Sequence, residues 1–320
     1  MFQLKYQLPS IAEGRGQSTS AKISPDGGLV AMVQGTVILV YKIDDTGFAE
    51  FRMVVTSHSR SISDVCWSPD GKCVATASDD FTVEITHLSY GLIHRLVGHT
   101  APVVSLCFNA KGNLLFSSSM DESIKIWDVL NGSQLRTIAA HSESVVSIDV
   151  PQCDGSVLSS GSYDGLIRIF DTSSGHCLKT LTYDKDWKSE TGVVPISQVK
   201  FSANSKYLLV KSLDGVVKLW DCIRGYVVRT FKRESDDSQQ LVHSCGMDFL
   251  YPQDDSPPLV VSGYETGDIY CWDSATKKLL YVLRDNERHR DHPIMSIDCK
   301  GNLMCSLSLN GECYLWDWVK

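Results

Sequence analysis

The 320-residue sequence lacks any run of 18 apolar residues and any basic start followed by a long apolar stretch, so neither membrane insertion nor secretion is expected. It has no CxxC pair. Its eleven cysteines are an odd number without zinc-like spacing. Cys66, Cys73, Cys107, Cys222, Cys271 and Cys313 lie in or beside alternating apolar segments and read as small hydrophobes of a reducing, intracellular compartment. There is no basic block: 30 Lys and Arg face 38 Asp and Glu, a net charge of -8, so a nucleic-acid backbone is not expected as a direct partner. Also missing are a Gly-rich phosphate loop ahead of a helix, a nucleophile elbow and a repeated metal-ligand motif, so no cofactor is expected. His289 and His292 beside Asp291 lack a third convincing metal ligand, and His292 is expected to be a structural histidine. Little of the chain reads as helix.

What the chain has is a repeat. His99, then Ser117 to Asp121, then Trp127-Asp128 recurs as His141, Asp164 and Phe170-Asp171. Module ends align at Tyr41, Thr86, Trp127, Phe170, Trp220, Trp272 and Trp316, with gaps of 45, 41, 43, 50, 52 and 44 residues. Trp127-Asp128, Trp220-Asp221, Trp272-Asp273 and Trp316-Asp317 keep the full pair, while Tyr41-Lys42 and Thr86-His87 are degenerate. The spacing predicts an all-β fold of seven four-stranded antiparallel blades, a β-propeller. No linker longer than a loop separates the anchors, so one domain spanning residues 1–320 is expected.

The third module shows how a blade is written. Val103 to Phe108, Leu114 to Ser118, Ser123 to Trp127 and Gln134 to Ile138 are short runs separated by turn residues, a strand signature. The formal sequon Asn131-Gly132-Ser133 reads as the tight turn before the last of them. His58 with Asp80, His99 with Asp121 and His141 with Asp164 resemble parts of a catalytic triad, but they repeat, whereas catalysis needs one exposed nucleophile with its base. A structural network is expected instead: Asp bonds His, which bonds onward to a strand hydroxyl and the Trp indole, as at Trp127. Ser78, Ser119, Ser162 and Ser212, two residues before each Asp position, are hydroxyl candidates, although spacing does not decide which hydroxyl closes each network. The fifth module keeps Asp214 and Trp220 without the His; the sixth and seventh place Thr266 and Asn310 at the Asp position.

The chain stops just after its last anchor, so the seventh blade lacks an outer strand. Phe2 to Leu8 alternates as an outer strand does and is expected to fill that place, closing the ring. Charged insertions fall at residues 183–195, 232–240 and 251–258. Within the first, Trp187 either anchors a protein partner or folds back on its own blade.

Ser78-Asp79-Asp80, the run Ser118 to Asp128 and the run Ser160 to Asp171 resemble WD-repeat propellers. More closely, they resemble the small WD-repeat core subunits of the COMPASS histone lysine methyltransferase complex. Gly175 to Leu181 and Tyr264 to Trp272 extend the likeness, especially to the fungal branch, over essentially the whole chain. The resemblance implies no catalytic residue. It implies a nuclear scaffold beside a SET-domain catalytic subunit and other core subunits, including a second WD-repeat protein, that supports methylation of lysine 4 of the third core histone. Chromatin is reached mainly through the complex. The competing class is a WD-repeat adaptor for ubiquitin ligation or RNA processing. In the animal relatives the central opening holds an arginine side chain between aromatic rings. The matching positions here are Val104 and Gly246, with Ser63, Asp64, Asp79 and Tyr163 around the same opening. Without two ring faces for a guanidinium, arginine reading of that type is not expected. The opposite-face cleft of those relatives binds an acidic, hydrophobic segment of another core subunit. Its matching positions carry Asn204, Tyr207 and Leu219, with Ala275 at a glutamine position; the three also fit ordinary turn and strand packing.

Overall fold

Runs of four to seven residues with outward polar and inward apolar side chains cannot bury themselves singly, and each is halted by a Gly, Asn or Asp turn before a helix could form. A computed structural model of the chain accordingly has 28 strands and no helix among the described residues, which are 2–9, 17–43, 50–153, 155–183, 193–233, 241–253, 256–284, 289 and 292–319. After β1 (Phe2–Leu8), blade 1 comprises β2 (Ala21–Ile23), β3 (Leu29–Gln34), β4 (Val37–Lys42) and β5 (Glu50–Val55). Blade 2 comprises β6 (Ile62–Trp67), β7 (Cys73–Ser78), β8 (Thr82–His87) and β9 (Gly91–Val97). Blade 3 is β10 (Val103–Phe108), β11 (Leu114–Ser119), β12 (Ser123–Asp128) and β13 (Ser133–Ala139). Blade 4 is β14 (Val145–Asp149), β15 (Val157–Ser162), β16 (Leu166–Asp171) and β17 (Cys177–Thr182). Blade 5 is β18 (Ile196–Phe201), β19 (Tyr207–Ser212), β20 (Val217–Asp221) and β21 (Tyr226–Phe231). Blade 6 is β22 (Met247–Leu250), β23 (Leu259–Gly263), β24 (Ile269–Asp273) and β25 (Leu279–Leu283). Blade 7 is β26 (Ile294–Lys300), β27 (Leu303–Ser308) and β28 (Cys313–Trp318), completed by β1. These are the seven antiparallel blades of a β-propeller.

The expected closure by the N-terminal strand is present: Phe2 lies opposite Trp318 and Leu8 opposite Cys313, with both end residues of β1 buried. The chain divides into two compact units, Met1–Trp67 with His243–Lys320, and Ser68–Val242. Within the first, Leu8, Ile23, Met32, Leu39 and Leu315 form one apolar cluster, and Phe2, Val261, Ile297, Met304 and Trp316 another. Within the second, Phe116, Ile126, Ile148 and Phe170 pack between blades 3 and 4, and Ile167, Val199, Leu208 and Trp220 between blades 4 and 5. Within each unit neighbouring blades stack face to face, so the second strand of a blade between two others is covered on both sides. That is why β11, β15 and β19 are buried almost throughout, hydroxyls included.

Candidate functional site

The repeated polar residues form the expected network in blade 3. Asp121 Oδ2 accepts from His99 Nδ1 (2.7 Å), His99 Nε2 meets Ser117 Oγ (2.8 Å), and Trp127 Nε1 donates to the same Oγ (2.8 Å). Donor accounting fixes the tautomer: a carboxylate only accepts, so Nδ1 carries the proton and Nε2 accepts the Ser117 hydroxyl proton. Burial works against ionisation of Asp121, but hydrogen bonds from His99, Ser123 and Thr100 outweigh it and hold the carboxyl well below the ordinary carboxylate range. In blade 4, His141 Nδ1 bonds Asp164 Oδ2 (2.9 Å) and Nε2 bonds Ser160 Oγ (2.7 Å), with Asp164 lowered by the same balance. Ser117 and Ser160 are fully buried and bonded to their histidines, which is the arrangement of a brace.

The hydroxyl that closes each network stands four residues before the Asp. Ser78, Ser119 and Ser162 do something else: each accepts the backbone N–H of its Asp, at 3.1, 3.0 and 3.2 Å, and caps the turn. Ser212 donates to Asp214, which also receives Val216 N at 2.9 Å. At the network position blade 5 has Val210, and the buried Trp220 indole N–H finds no hydrogen-bond partner among the described residues. In blade 2, Asp80 accepts Thr82 Oγ1 (2.6 Å) and pairs with Arg95 (3.3 Å), and His58 is buried. The seventh blade corrects one expectation. His292 is exposed; the structural histidine is His289, whose Nε2 bonds Ser306 Oγ (2.9 Å), the acceptor of Trp316 Nε1 (2.8 Å). A left-handed backbone at His289 (φ 58°) turns its ring inward, edge-on to Tyr314. Among the described residues no His, Cys, Asp and Glu group could hold a metal.

Two bracing devices were not read from the sequence. An Asp in the inner strand accepts a backbone N–H of the next blade: Asp149 from Phe201 (2.7 Å), Asp248 from Cys299 (2.9 Å) and Asp298 from Ile23 (2.8 Å). The signal was the acid itself, at the same register in β14, β22 and β26. The second device is the Asp of the Trp-Asp pair, whose carboxylate accepts the N–H groups of the following turn, as Asp221 does from Ile223 (2.9 Å) and Arg224 (2.8 Å). Blade 2 has His87 there, and its Nδ1 takes over the role for Ser89 N (3.0 Å) and Tyr90 N (3.3 Å).

The candidate binding residues are placed as follows. In one unit Ser63 and Asp64 lie half-buried on β6, where Asp64 Oδ1 accepts Ser20 Oγ (2.8 Å). Gly246 of the same unit is buried, and a Cβ there would sit 2.3 Å from Ile297 N, so close backbone approach forbids any side chain. In the other unit Asp79 is half-buried, Val104 is the bulged residue of β10, and Tyr163 is exposed, its phenol pushed up by burial of part of the ring. Asn204 braces a turn of blade 5, its Oδ1 accepting Ser202 Oγ (2.7 Å) and Lys206 N (3.1 Å). Tyr207 begins β19 opposite Asp221, and Leu219 lies opposite Leu209, so strand alternation puts Tyr207 and Leu219 on one face of blade 5. Tyr207 is half-buried and Leu219 buried. Trp187 lies outside the described residues, as do 184–192, 234–240 and 254–255 of the charged insertions.

The family model described as WD domain, G-beta repeat matches residues 49–86, 91–128, 132–171 and 175–221, more than half of the chain. The chain belongs to the WD40 family. As a WD40 protein it is similar along its whole length to the COMPASS component SWD3 of Saccharomyces cerevisiae: 67% identity over 319 residues, covering 100% of each chain. Other WD40 relatives match in part. The nuclear distribution protein PAC1 of Arthroderma otae is 32% identical over 229 residues, 70% of this chain and 38% of that protein. Protein tipD of Dictyostelium discoideum is 36% identical over 145 residues, 42% of this chain and 21% of that one. The SWD3 likeness, unlike these partial matches, extends through the degenerate anchors of the first two blades.

Proposed function

We propose that this WD40 protein is a non-catalytic scaffold subunit of a COMPASS histone methyltransferase complex, its seven blades over residues 1–320 acting as one platform that supports methylation of lysine 4 of the third core histone in the nucleus. The observation that carries the reading is the 67% identity to the COMPASS component SWD3 over 319 residues. Its neighbours are a SET-domain catalytic subunit and further core subunits, including a second WD-repeat protein, with chromatin met mainly through them. Tyr207, with Asn204 in the turn before it and Leu219 on the same face, supplies a contact for one such subunit, and Trp187 a second. Aromatic area beside a fixed polar turn suits the centre of a peptide interface. An arginine clamp of the animal type is not part of this function, because Gly246 has no room for a ring and Val104 offers no π face.

Native purification of the tagged chain from nuclear extract should recover a SET-domain methyltransferase and a second WD-repeat protein in stoichiometric amounts. Recovery of ubiquitin-ligase or RNA-processing subunits in their place overturns the assignment. Tyr207→Ala should weaken assembly and leave the thermal unfolding midpoint in place. Unchanged assembly removes that contact without touching the rest.

A further inference from the structure

The seventh blade sets an amide where blades 3 and 4 have the carboxylate of the brace. Asn310 stands four residues after Ser306, as Asp121 stands four after Ser117 and Asp164 four after Ser160. In blades 3 and 4 the carboxylate divides its oxygens. Oδ1 takes a backbone N–H of the turn, from Ser123 at 3.0 Å and from Leu166 at 2.9 Å, and Oδ2 takes the histidine Nδ1. Asn310 performs the first half of that role: its Oδ1 accepts Ser308 Oγ and Glu312 N (3.2 Å), which leaves Nδ2, a donor, at the place of the second oxygen. The other members of the brace are present. Trp316 Nε1 donates to Ser306 Oγ, so the Ser306 hydroxyl proton goes to His289 Nε2 and the imidazole carries its own proton on Nδ1. A carboxylate oxygen suits that N–H, as in blades 3 and 4, and an amide nitrogen does not.

The residue after Asn310 is glycine, one of two Asn-Gly pairs in the chain, the other being Asn131-Gly132. Without a Cβ, Gly311 does not shield its own nitrogen from the carboxamide before it. When Gly311 N closes on Asn310 Cγ, the N–Cγ bond forms, the Cγ–Nδ2 bond breaks, and Nδ2 leaves as ammonia with the Gly311 amide proton. A five-membered imide remains. Water opens it in one of two ways: cleavage between Gly311 N and Cγ restores the ordinary backbone with aspartate at 310, and cleavage of the other N–C bond gives isoaspartate, which adds a methylene to the chain. The fold separates these products. Isoaspartate lengthens the turn and pulls apart the bonds from Gly311 N to Ser308 O (2.9 Å) and from Glu312 N to the side chain at 310, whereas aspartate keeps both and adds the missing oxygen. Asn310 is exposed, so water reaches it. Glu312 carries the other carboxylate of this turn, and its Oε2 is engaged by His289 N (3.0 Å). At Asn131 the balance reverses, because its Nδ2 donates to Asp128 Oδ2 (2.6 Å) and an aspartate there sets one carboxylate against another.

We propose that Asn310-Gly311 is a self-modification site, at which the chain, with water as its only co-reactant, converts Asn310 to aspartate and completes the brace of the seventh blade. The change tightens with age the blade that β1 completes, and it does not depend on which complex the chain enters.

The test is peptide mapping by mass spectrometry of the full chain, fresh and after prolonged storage in neutral buffer, with aspartate and isoaspartate products separated by chromatography. Residue 310 should convert with aspartate in excess, whereas a synthetic peptide of residues 304–316 should give isoaspartate in excess. Asn310→Asp, which installs the product directly, should raise the urea midpoint by about 0.3 M, the shift that one net hydrogen bond produces, and should add one histidine N–H resonance to the downfield proton spectrum. No conversion at 310 in the folded chain, isoaspartate as its main product, or a midpoint for Asn310→Asp at or below that of the parent overturns the proposal. A raised midpoint without the new resonance also overturns it, since the carboxylate then acts elsewhere than on His289.

Discussion

Ser117→Ala and Ser118→Ala remove the same atom from neighbouring, fully buried positions, yet only the first should destabilise the fold. Ser117 Oγ is the acceptor for Trp127 Nε1 and the donor to His99 Nε2, both at 2.8 Å. Its loss strands one buried donor and one buried acceptor, each costing about 1–3 kcal/mol, so a destabilisation of about 3 kcal/mol is expected once some local relaxation is allowed. Ser118 Oγ is buried with no hydrogen-bond partner among the described residues, so its removal relieves a desolvated hydroxyl and should be neutral or stabilising by about 1 kcal/mol. Urea unfolding followed by tryptophan fluorescence separates the two: with a slope of about 3 kcal/mol/M, the Ser117→Ala midpoint falls by roughly 1 M and that of Ser118→Ala does not fall. Equal midpoints for the two variants, or a lower one for Ser118→Ala, would refute the assignment of the bracing hydroxyl.

Three other outcomes follow from the same structure. Removal of residues 2–8 uncovers the edge of β28 and deletes the buried Phe2 and Leu8, so it should cost roughly 4–8 kcal/mol and lower the thermal midpoint; an unchanged midpoint would show that β1 does not hold the last blade. Asp121 and Asp164 are lowered in the folded chain, so their stabilisation is complete above the unfolded carboxylate value of about 3.9 and is lost as pH falls through the folded values. The urea midpoint should therefore drop below about pH 4, with a shallower drop in Asp121→Asn, and identical slopes for parent and variant would contradict this. Gly246→Phe places a Cβ 2.3 Å from Ile297 N, so soluble expression and the thermal midpoint should both fall sharply; a stable variant would show that β22 can move away from β26.

Strand positions, blade number and the N-terminal closure were legible because period-2 alternation, turn residues and anchor spacing are local signals. The network's chemistry was legible too, but its members were not all assignable. Ser117 and Ser119 point to the same side of β11, so alternation does not separate them. What does is depth: Leu115 pairs with Trp127 and Ser117 with Lys125, which brings the indole level with Ser117 and leaves Ser119 at the turn. Spacing points to His292 rather than His289, because a single left-handed residue sets which ring turns inward and no spacing rule records it. Of the binding residues, strand pairing places Tyr207 and Leu219 on one face. The reason Gly246 must be glycine was invisible, since it lies in the backbone of a strand some fifty residues away.

The valine at position 210 shows what repetition does for a fold of this size. One copy of the brace lacks its hydroxyl, the Trp220 indole is left without a partner among the described residues, and the blade still forms. A domain with 5–15 kcal/mol in hand survives one such fault of a few kcal/mol but not several together. Redundant braces therefore act as tolerance for error: any single blade is free to exchange bracing residues for recognition residues while its neighbours keep theirs. Blade 5, with Val210 in place of the hydroxyl, is the blade in which that tolerance is visible.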